Sequence, residues 1–414
     1  MVEHRKPIPV AEAVERVIKK AQALGTERVA LGDSYGRILA EPVKASHDVP
    51  PFNRSPYDGF AIRSQDSAGA SGENRKRFEV IDHIGAGAVS GKTVQEGEAV
   101  RIMTGAPLPA GTDSVVMFEQ TVDSGSSITI RKPFEALENV SLQGEDMQKG
   151  DAIIESGSFI HPGTVAVLAT FGYAEVIVAR LPVVGILSTG TELLDVSEPL
   201  VPGKIRNSNG PMIAAQLMRM GIRCRTYGMS ADDLDASFAV VKQAAEETDI
   251  LITTGGVSVG DFDFLPAIYE RLGADVLFNK VAMRPGSVTT VAVANGKYLF
   301  GLSGNPSACF TGFELFVRPA ILKMMGADKL YLPHTQAVLA EDFEKPNPFT
   351  RFIRAAYDGA SVQPAGFNMS NAVSSIARGN ALIVLPGGTR GYQAGTMVDV
   401  LLLGVEEGSN EWAL

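Results

Sequence analysis

The spacing of hydrophobic and polar positions changes along this chain and separates regions of different secondary structure. Between residues 183 and 272, short apolar runs of strand length alternate with segments whose apolar residues recur at helical spacing. The pattern predicts strands at 183–187, 222–227 and 250–254, and helices at 211–220, 234–247 and 262–272. Regular alternation of strands and helices indicates a doubly wound α/β domain built on a parallel sheet.

The chain on either side of this region has other patterns. Near the start, apolar residues fall on one face of a helix that Gly25 ends. Short strand-like runs between Pro- and Gly-rich turns then predict a β module inserted into an N-terminal domain. After a helix at 308–325, strand-like runs occupy 336–343, 352–357, 381–385 and 397–403. These runs predict a small β-barrel or sandwich, and we take the barrel as the prediction.

Together the regions predict an α/β multidomain protein with a central α/β domain. The expected boundaries are 1–45 and 145–180 for an N-terminal linking domain, 46–144 for the inserted β module, 181–326 for the α/β domain and 327–414 for the C-terminal β domain.

Composition and charge exclude several classes of protein. With 45% hydrophobic and 20% charged residues, the 414-residue chain is close to the globular average. Its net charge of -10 argues against non-specific binding to nucleic acid or to an anionic membrane, since both need a basic face. Cys224 and Cys309 are too few for a disulfide framework. The first residues lack the apolar core of a signal peptide, so we expect a cytoplasmic protein.

The glycine-rich stretch at 249–263 is the strongest candidate for chemistry. A buried strand would lead into a loop with Gly255, Gly256 and Gly260, where backbone amides can approach a ligand, and then into a helix. Asp261 and Asp263 would repel a phosphate unless a divalent cation such as Mg²⁺ bridged them to it. The stretch therefore predicts a phosphate and metal site. The alternative is a plain turn with Asp as a helix cap.

Other loops follow strands of the same domain, where doubly wound sheets bind their ligands. With the glycine-rich stretch they supply the candidate substrate-binding residues Ser188, Thr189, Gly190, Asn207, Ser208, Asn209, Gly255, Gly256, Ser258, Gly260, Ser303, Gly304, Asn305 and Pro306. The segment at 205–211 could equally be a helix cap, with Pro211 at the first helical position.

Basic residues in two regions lead to opposite expectations. Lys280 and Arg284, at i,i+4 in a run expected to be extended, should share a face, and we expect them to bind an anion. The C-terminal region contains no evident catalytic constellation. Arg351, Arg354, Ser374 and Ser375 are expected on its surface.

Six motifs in this order resemble the molybdopterin molybdenumtransferase (MoeA) family, to which the E domain of gephyrin is related. They are S-P-Y-D-G-F-A-I-R (55–63), R-I-M-T-G-A-P-L-P-A-G (101–111), G-I-L-S-T-G-T-E-L (185–193), I-R-N-S-N-G-P-M (205–212), T-T-G-G-V-S-V-G-D (253–261) and G-L-S-G-N-P-S-A (301–308).

The resemblance implies insertion of molybdate into adenylylated molybdopterin with Mg²⁺ and release of AMP, by an elongated homodimer. It places the family's functional positions at Asp58, Thr104, Glu192, Asp232, Asp263, Lys280 and Arg284. We expect Glu192, Asp261 and Asp263 to be the metal ligands. Arg284 stands where a Lys is familiar, and either Asp232 or Asp233 could be the equivalent residue.

The resemblance also raises alternatives and partners. A molybdopterin adenylyltransferase shares the α/β domain, but that family is a single short domain without the motifs around Asp58 and Thr104. A non-catalytic scaffold of the same fold is the other alternative. The adenylyltransferase is a candidate transient partner. In the homodimer, Asp58 and Thr104 of one subunit are expected to face the α/β loops of the other.

Overall fold

The computed structural model describes residues 6–230, 234–256 and 264–404. The chain divides into two compact units, one from 1–41, 156–165 and 175–414 and the other from 42–155 and 166–174. No helix in the described ranges is both long and apolar enough to cross a membrane.

The first unit begins with helix α1 (Val10–Lys20) and strand β1 (Thr26–Ala30). The helix ends earlier than the apolar spacing predicts, because Ala21 already has an extended backbone. The buried face of α1 includes Ala13 and Val17. Strand β1 pairs antiparallel with β10 (Glu175–Ala179).

The second unit is built mainly of strands. Its elements are β2 (Val43–Lys44), β3 (Gly59–Ile62), β4 (Lys76–Ile84), β5 (Glu98–Ile102), β6 (Ser114–Met117), β7 (Thr121–Asp123), β8 (Ser127–Ile130) and β9 (Ala152–Ile154). Helix α2 (Pro162–Thr170) follows in the chain. Strands β6, β3, β5, β4, β8 and β7 form one sheet in that order, while β2 pairs with β9. Along β3, Phe60 and Ile62 belong to one apolar cluster and Ala61 to another, so this strand is buried on both faces.

The α/β domain lies in the first unit and follows the predicted alternation. Its elements are β11 (Val184–Thr189), β12 (Leu193–Leu194), β13 (Ile205–Arg206), α3 (Asn209–Arg219), β14 (Cys224–Ser230), α4 (Leu234–Glu247), β15 (Ile250–Thr254), α5 (Leu265–Arg271), β16 (Asp275–Phe278), β17 (Met283–Arg284), β18 (Thr290–Ala294), β19 (Lys297–Leu302), α6 (Pro306–Gly312) and α7 (Arg318–Met324). The predicted bounds of α4 and β15 match to the residue. The helix predicted at 308–325 is interrupted by a π-helical turn at Phe313–Val317.

The central sheet is mixed. Among the described strands its order is β14, β11, β15, β19, β18 and β16, with the first four parallel and the last two antiparallel to their neighbours. Leu187, Leu251 and Leu299 pack with α4 and α5 on one face. Ile186, Ile252 and other residues belong to a larger cluster on the opposite face, which includes α1, α3 and α7.

The C-terminal strands close into a barrel, as predicted. They are β20 (His334–Leu339), β21 (Thr350–Tyr357), β22 (Ser361–Pro364), β23 (Ala381–Leu385) and β24 (Met397–Leu402), with helix α8 (Ser374–Ala377) between β22 and β23. The ring runs β21, β22, β20, β24, β23 and back to β21. Strand β17 of the α/β region adds to the start of β21 in parallel.

Candidate functional site

The predicted loops that follow β11, β15 and β19, called below the first, second and third loops, leave the same edge of the central sheet. Strands β11, β15 and β19 are adjacent and parallel, with Ser188 opposite Thr254 and Thr254 opposite Leu302. The loops that follow them therefore begin side by side, at the edge where ligands bind in sheets of this kind.

Hydrogen bonds between side chains join the first loop to the segment before α3. The Asn207 side-chain amide donates to Ser188 Oγ at 2.9 Å, and the Gly210 amide donates to Asn207 Oδ1 at 3.1 Å. Thr254 Oγ1 also donates to Ser188 Oγ, at 3.3 Å. Helix α3 begins at Asn209, two residues before the predicted Pro211, and Ser208 makes no side-chain capping bond.

Glycines allow the loops to approach each other closely. Gly255 has a φ of +86°, and a Cβ there would lie 2.6 Å from the carbonyl oxygen of Thr189. A Cβ on Gly304 would lie 3.5 Å from Gly255 Cα, and the Gly255 amide donates to the carbonyl of Leu302 at 3.0 Å. A side chain at Gly255 would therefore push the first two loops apart.

Asn209 connects α3 to the third loop. Its side-chain amide donates to the carbonyl oxygen of Gly304 at 2.8 Å. Its Oδ1 is buried and has no hydrogen-bond partner among the described residues. In the same loop Ser303 is buried and accepts a bond from the Asn305 amide at 3.2 Å, and Pro306 is the first residue of α6.

The predicted metal site is described only at Glu192. Asp261, Asp263, Ser258 and Gly260 lie outside the described residues, as do Asp232 and Asp233. In the ranges that are described, no three His, Cys, Asp or Glu side chains cluster as a metal site would require. The exposed Glu192 carboxylate folds back toward Gly190, so that a Cβ there would lie 2.5 Å from Oε2. Magnesium commonly takes one or two protein carboxylates together with substrate phosphates, and Glu192 fits one such ligand.

Asp58 and Thr104, 46 residues apart, meet in the second unit. Asp58 precedes β3 and Thr104 follows β5, and these strands pair antiparallel. Both the backbone amide and the hydroxyl of Thr104 donate to Asp58 Oδ1, at 2.7 and 2.8 Å. These bonds, the backbone bond first, hold the pKa of the Asp58 carboxyl below its ordinary value. The exposed carboxylate is therefore ionised at neutral pH.

Lys280 and Arg284 are placed differently from the expectation. The chain bends at Ala282, and the Met283 amide donates to the carbonyl of Val281, so the run is not extended and the same-face argument fails. Arg284 lies on β17 and lines a cleft, whereas Lys280 is half-buried and not among the lining residues.

The cleft has a volume of about 500 Å³ and lies between the third loop, β17 and the barrel. Ser303 and Asn305 of the third loop line it. Its four basic side chains are Arg284, Lys345, Arg351 and Arg354, none of which forms a salt bridge with a carboxylate in the described part of the chain.

The expectation that Arg354 and Ser375 lie on the surface is wrong. Arg354 is only 2% exposed and Ser375 is fully buried. Arg354 Nε donates to Ser375 Oγ at 3.2 Å, and another guanidinium nitrogen donates to the Met369 carbonyl at 3.1 Å. Burial lowers the pKa of Arg354 to about 10, so the side chain still carries its charge at neutral pH. Ser374, in contrast, is exposed.

One signal in the sequence could have found Arg354. It stands alone between Ile353 and Ala355 in a run that otherwise has apolar character. Burying a charge has a high free-energy cost, so an isolated charge in such a strand indicates a side chain that is hydrogen-bonded or binds a ligand.

Comparison with known proteins is consistent along the whole chain. Family models match the MoeA N-terminal region (domain I and II) at residues 8–172, a probable molybdopterin binding domain at 185–323 and the MoeA C-terminal region (domain IV) at 336–403. The chain is 58% identical to the molybdopterin molybdenumtransferase of Staphylococcus epidermidis strain ATCC 35984 over 405 residues, 97% of each protein. It is also 58% identical over 406 residues to that of Staphylococcus aureus strain Mu50, again 97% of each.

A solved structure gives the same result for the fold. The molybdopterin biosynthesis MoeA protein from Pyrococcus horikoshii OT3 superimposes with a TM-score of 0.84 at 30% identity, over 96% of this chain and 100% of that one.

Proposed function

Because this chain belongs to the MoeA family, we propose that it is a molybdopterin molybdenumtransferase, which inserts molybdate into adenylylated molybdopterin and releases AMP in molybdenum cofactor biosynthesis. The cleft beside the third loop supports this function most directly. It brings four basic side chains together without carboxylate partners in the described ranges, in a protein whose net charge is -10. Such a cleft suits an oxyanion such as molybdate.

The edge of the central sheet suits the phosphate groups of the second substrate. Gly255 and Gly256 have no Cβ, so a phosphate can approach the loop backbone closely; the Gly255 amide itself is already bonded to the Leu302 carbonyl. Ser188 and Asn207 fix the neighbouring loop through their mutual hydrogen bond. We propose that these groups orient the pyrophosphate linkage while the cleft holds molybdate.

We also propose that Mg²⁺ takes part, with Glu192 and the predicted ligands Asp261 and Asp263 holding it. When bound, Mg²⁺ would neutralise the negative charge that develops on the phosphate group of the leaving AMP. Glu192 fits because its carboxylate is exposed beside the loop where phosphate is expected.

The direct test is to incubate the protein with adenylylated molybdopterin and molybdate, and to measure AMP and active cofactor. We expect both products with Mg²⁺, none in EDTA, and recovery when Mg²⁺ is restored. Absence of AMP with all three components present would refute the proposed activity. Undiminished turnover in chelator would refute only the role of the metal.

We propose further that the protein is a cytoplasmic homodimer whose active sites take residues from both subunits, with transient contact to the adenylyltransferase that supplies its substrate. Asp58→Ala and Asp263→Ala should each inactivate the homodimer. A heterodimer of the two variants should regain one intact site, measured as AMP release after subunit exchange. Verified heterodimers that stay inactive, while wild type survives the same exchange, would refute the shared site.

A further inference from the structure

Two arginines of the cleft face each other across a strand pair. Strand β17 runs parallel to the start of β21, with Arg284 in register with Arg351. Like charges opposite each other destabilise a sheet, and no carboxylate in the described ranges neutralises either side chain. Burial first, and the nearby charge of Arg284 second, lower the pKa of Arg351. The pair thus keeps a repulsion that an anion in the cleft would relieve.

Arg351 is also held in place by groups that are themselves fixed. Its Nε donates to Asn347 Oδ1 at 2.6 Å, and its guanidinium lies 5.4 Å from the centre of the Phe343 ring. Asn347 is 1% exposed, and its side-chain amide donates to Thr389 Oγ1 at 3.0 Å. A guanidinium anchored to buried groups loses little conformational freedom when a ligand binds.

We propose that Arg351, paired with Arg284, is a specificity-determining residue that makes the cleft select doubly charged tetrahedral oxyanions over singly charged ones of the same size. The inference rests on the proposed function, in which the cleft receives the molybdate dianion. Arg351 adds an anchored positive charge to the basic side chains of the cleft, and a dianion is attracted more strongly by that charge than a monoanion is. Coulomb energy is proportional to the ligand charge, so the contribution of Arg351 to binding a monoanion is half its contribution to a dianion.

Tungstate and perrhenate test this selection directly, since both are tetrahedral and of nearly equal size but carry two charges and one. We would measure their affinities by calorimetry at pH 8 and constant ionic strength, with the full-length protein. The variants are Arg351→Gln, which removes the charge, and Arg351→Lys, which keeps it. Arg390→Gln is the matched control, because Arg390 is an exposed arginine outside the cleft lining.

Wild type should prefer tungstate. Arg351→Gln should weaken tungstate binding by about thirtyfold and perrhenate binding by about fivefold. Halving the charge of the ligand halves the free energy lost, and therefore the logarithm of the loss in affinity. The ratio of the two affinities should therefore fall about sixfold by the same argument. It should stay near the wild-type value in Arg351→Lys and in Arg390→Gln.

Folding is checked by thermal melts without oxyanion. If Arg351→Gln is unstable, Arg351→Met repeats the test with an apolar side chain of similar length. Equal losses for both anions would show a purely structural role and overturn the inference. If the ratio of tungstate to perrhenate affinity is unchanged while AMP release is intact, the inference about Arg351 is overturned but the proposed function is not. Wild type that binds neither anion would count against the oxyanion cleft itself.

Discussion

The close approach of the first two site loops can be tested at Gly255. Its φ of +86° is a left-handed conformation that costs an L-residue about 1–2 kcal/mol. In Gly255→Ala the new Cβ would also lie 2.6 Å from Thr189 O and 2.9 Å from Thr189 Oγ1. Since one of these atoms belongs to the backbone, the loop itself must move. We expect a further cost on the order of 1–3 kcal/mol, typical of overpacking.

Gly395→Ala is a matched control. Gly395 has the same φ of +86°, but no heavy atom of the described residues lies within 4 Å of the added Cβ. It should show only the backbone cost of about 1–2 kcal/mol. Its AMP release should stay at the wild-type rate, since Gly395 lies in the barrel away from the cleft lining.

Hydrogen exchange separates the cost of the contact with Thr189 from the backbone cost. It measures local opening in the peptides that contain β11 and β15 for Gly255→Ala, and in the peptide that contains β24 for Gly395→Ala. Gly255→Ala should destabilise β11 and β15 by more than Gly395→Ala destabilises β24. Its AMP release should fall at least about tenfold, since displacing a substrate-positioning group by about 1 Å can cost a hundredfold in rate. Equal destabilisation in both variants, with AMP release unaffected, would refute the argument that the contact with Thr189 shapes the site.

Three more predictions concern charged side chains. Lys280→Ala should slow AMP release at least about tenfold, since a lost charge-assisted hydrogen bond costs about 1.5–3 kcal/mol. Arg284→Lys should slow it less than Arg284→Ala. Unchanged substrate binding and turnover would show that neither residue takes part in the reaction. Asp58→Asn should lower the melting temperature at neutral pH. Because the pKa of Asp58 is lower in the folded than in the unfolded protein, the ionised carboxylate stabilises the fold at pH values above the unfolded pKa near 3.8. This stabilisation is lost as pH falls through the folded pKa, so the difference in melting temperature should vanish in acid. A difference independent of pH would exclude this origin. Arg354→Gln should weaken molybdate binding at least about tenfold, measured by calorimetry, because it removes the most deeply buried charge of the cleft. An unaltered affinity would show that Arg354 has only a structural role, through its hydrogen bond to Ser375.

The sequence predicted regular elements best where one periodicity dominates. Helix α4 and strand β15 match their predicted bounds because an amphipathic helix and a fully buried strand each have a distinct apolar pattern. The antiparallel strands β16 and β18 were missed, since alternation of strand and helix stops before them. Helix α1 ends at Lys20 because Ala21 adopts an extended backbone, which apolar spacing alone does not predict.

The candidate site was predictable in its loops but not in its cleft. Ser188, Gly255 and Ser303 stand directly after strands or at their ends, and the rule for parallel sheets brings such positions together. Arg351 and Arg354 belong to another region of the sequence and reach the third loop only through tertiary packing. Periodicity within a strand does not show which domain will cover it, so the sequence predicts a surface position for both arginines.

Strand β17 has a consequence for dividing this protein into fragments. Its two residues come from the α/β region, yet they pair with Thr350 and Arg351 at the start of β21. A fragment that begins after residue 326 would contain all five strands of the barrel but lose this pairing. The start of β21 would then expose unpaired backbone groups, which favour edge-to-edge association. A soluble barrel fragment therefore requires the segment around Met283 and Arg284 to be supplied, either in the same chain or as an added peptide.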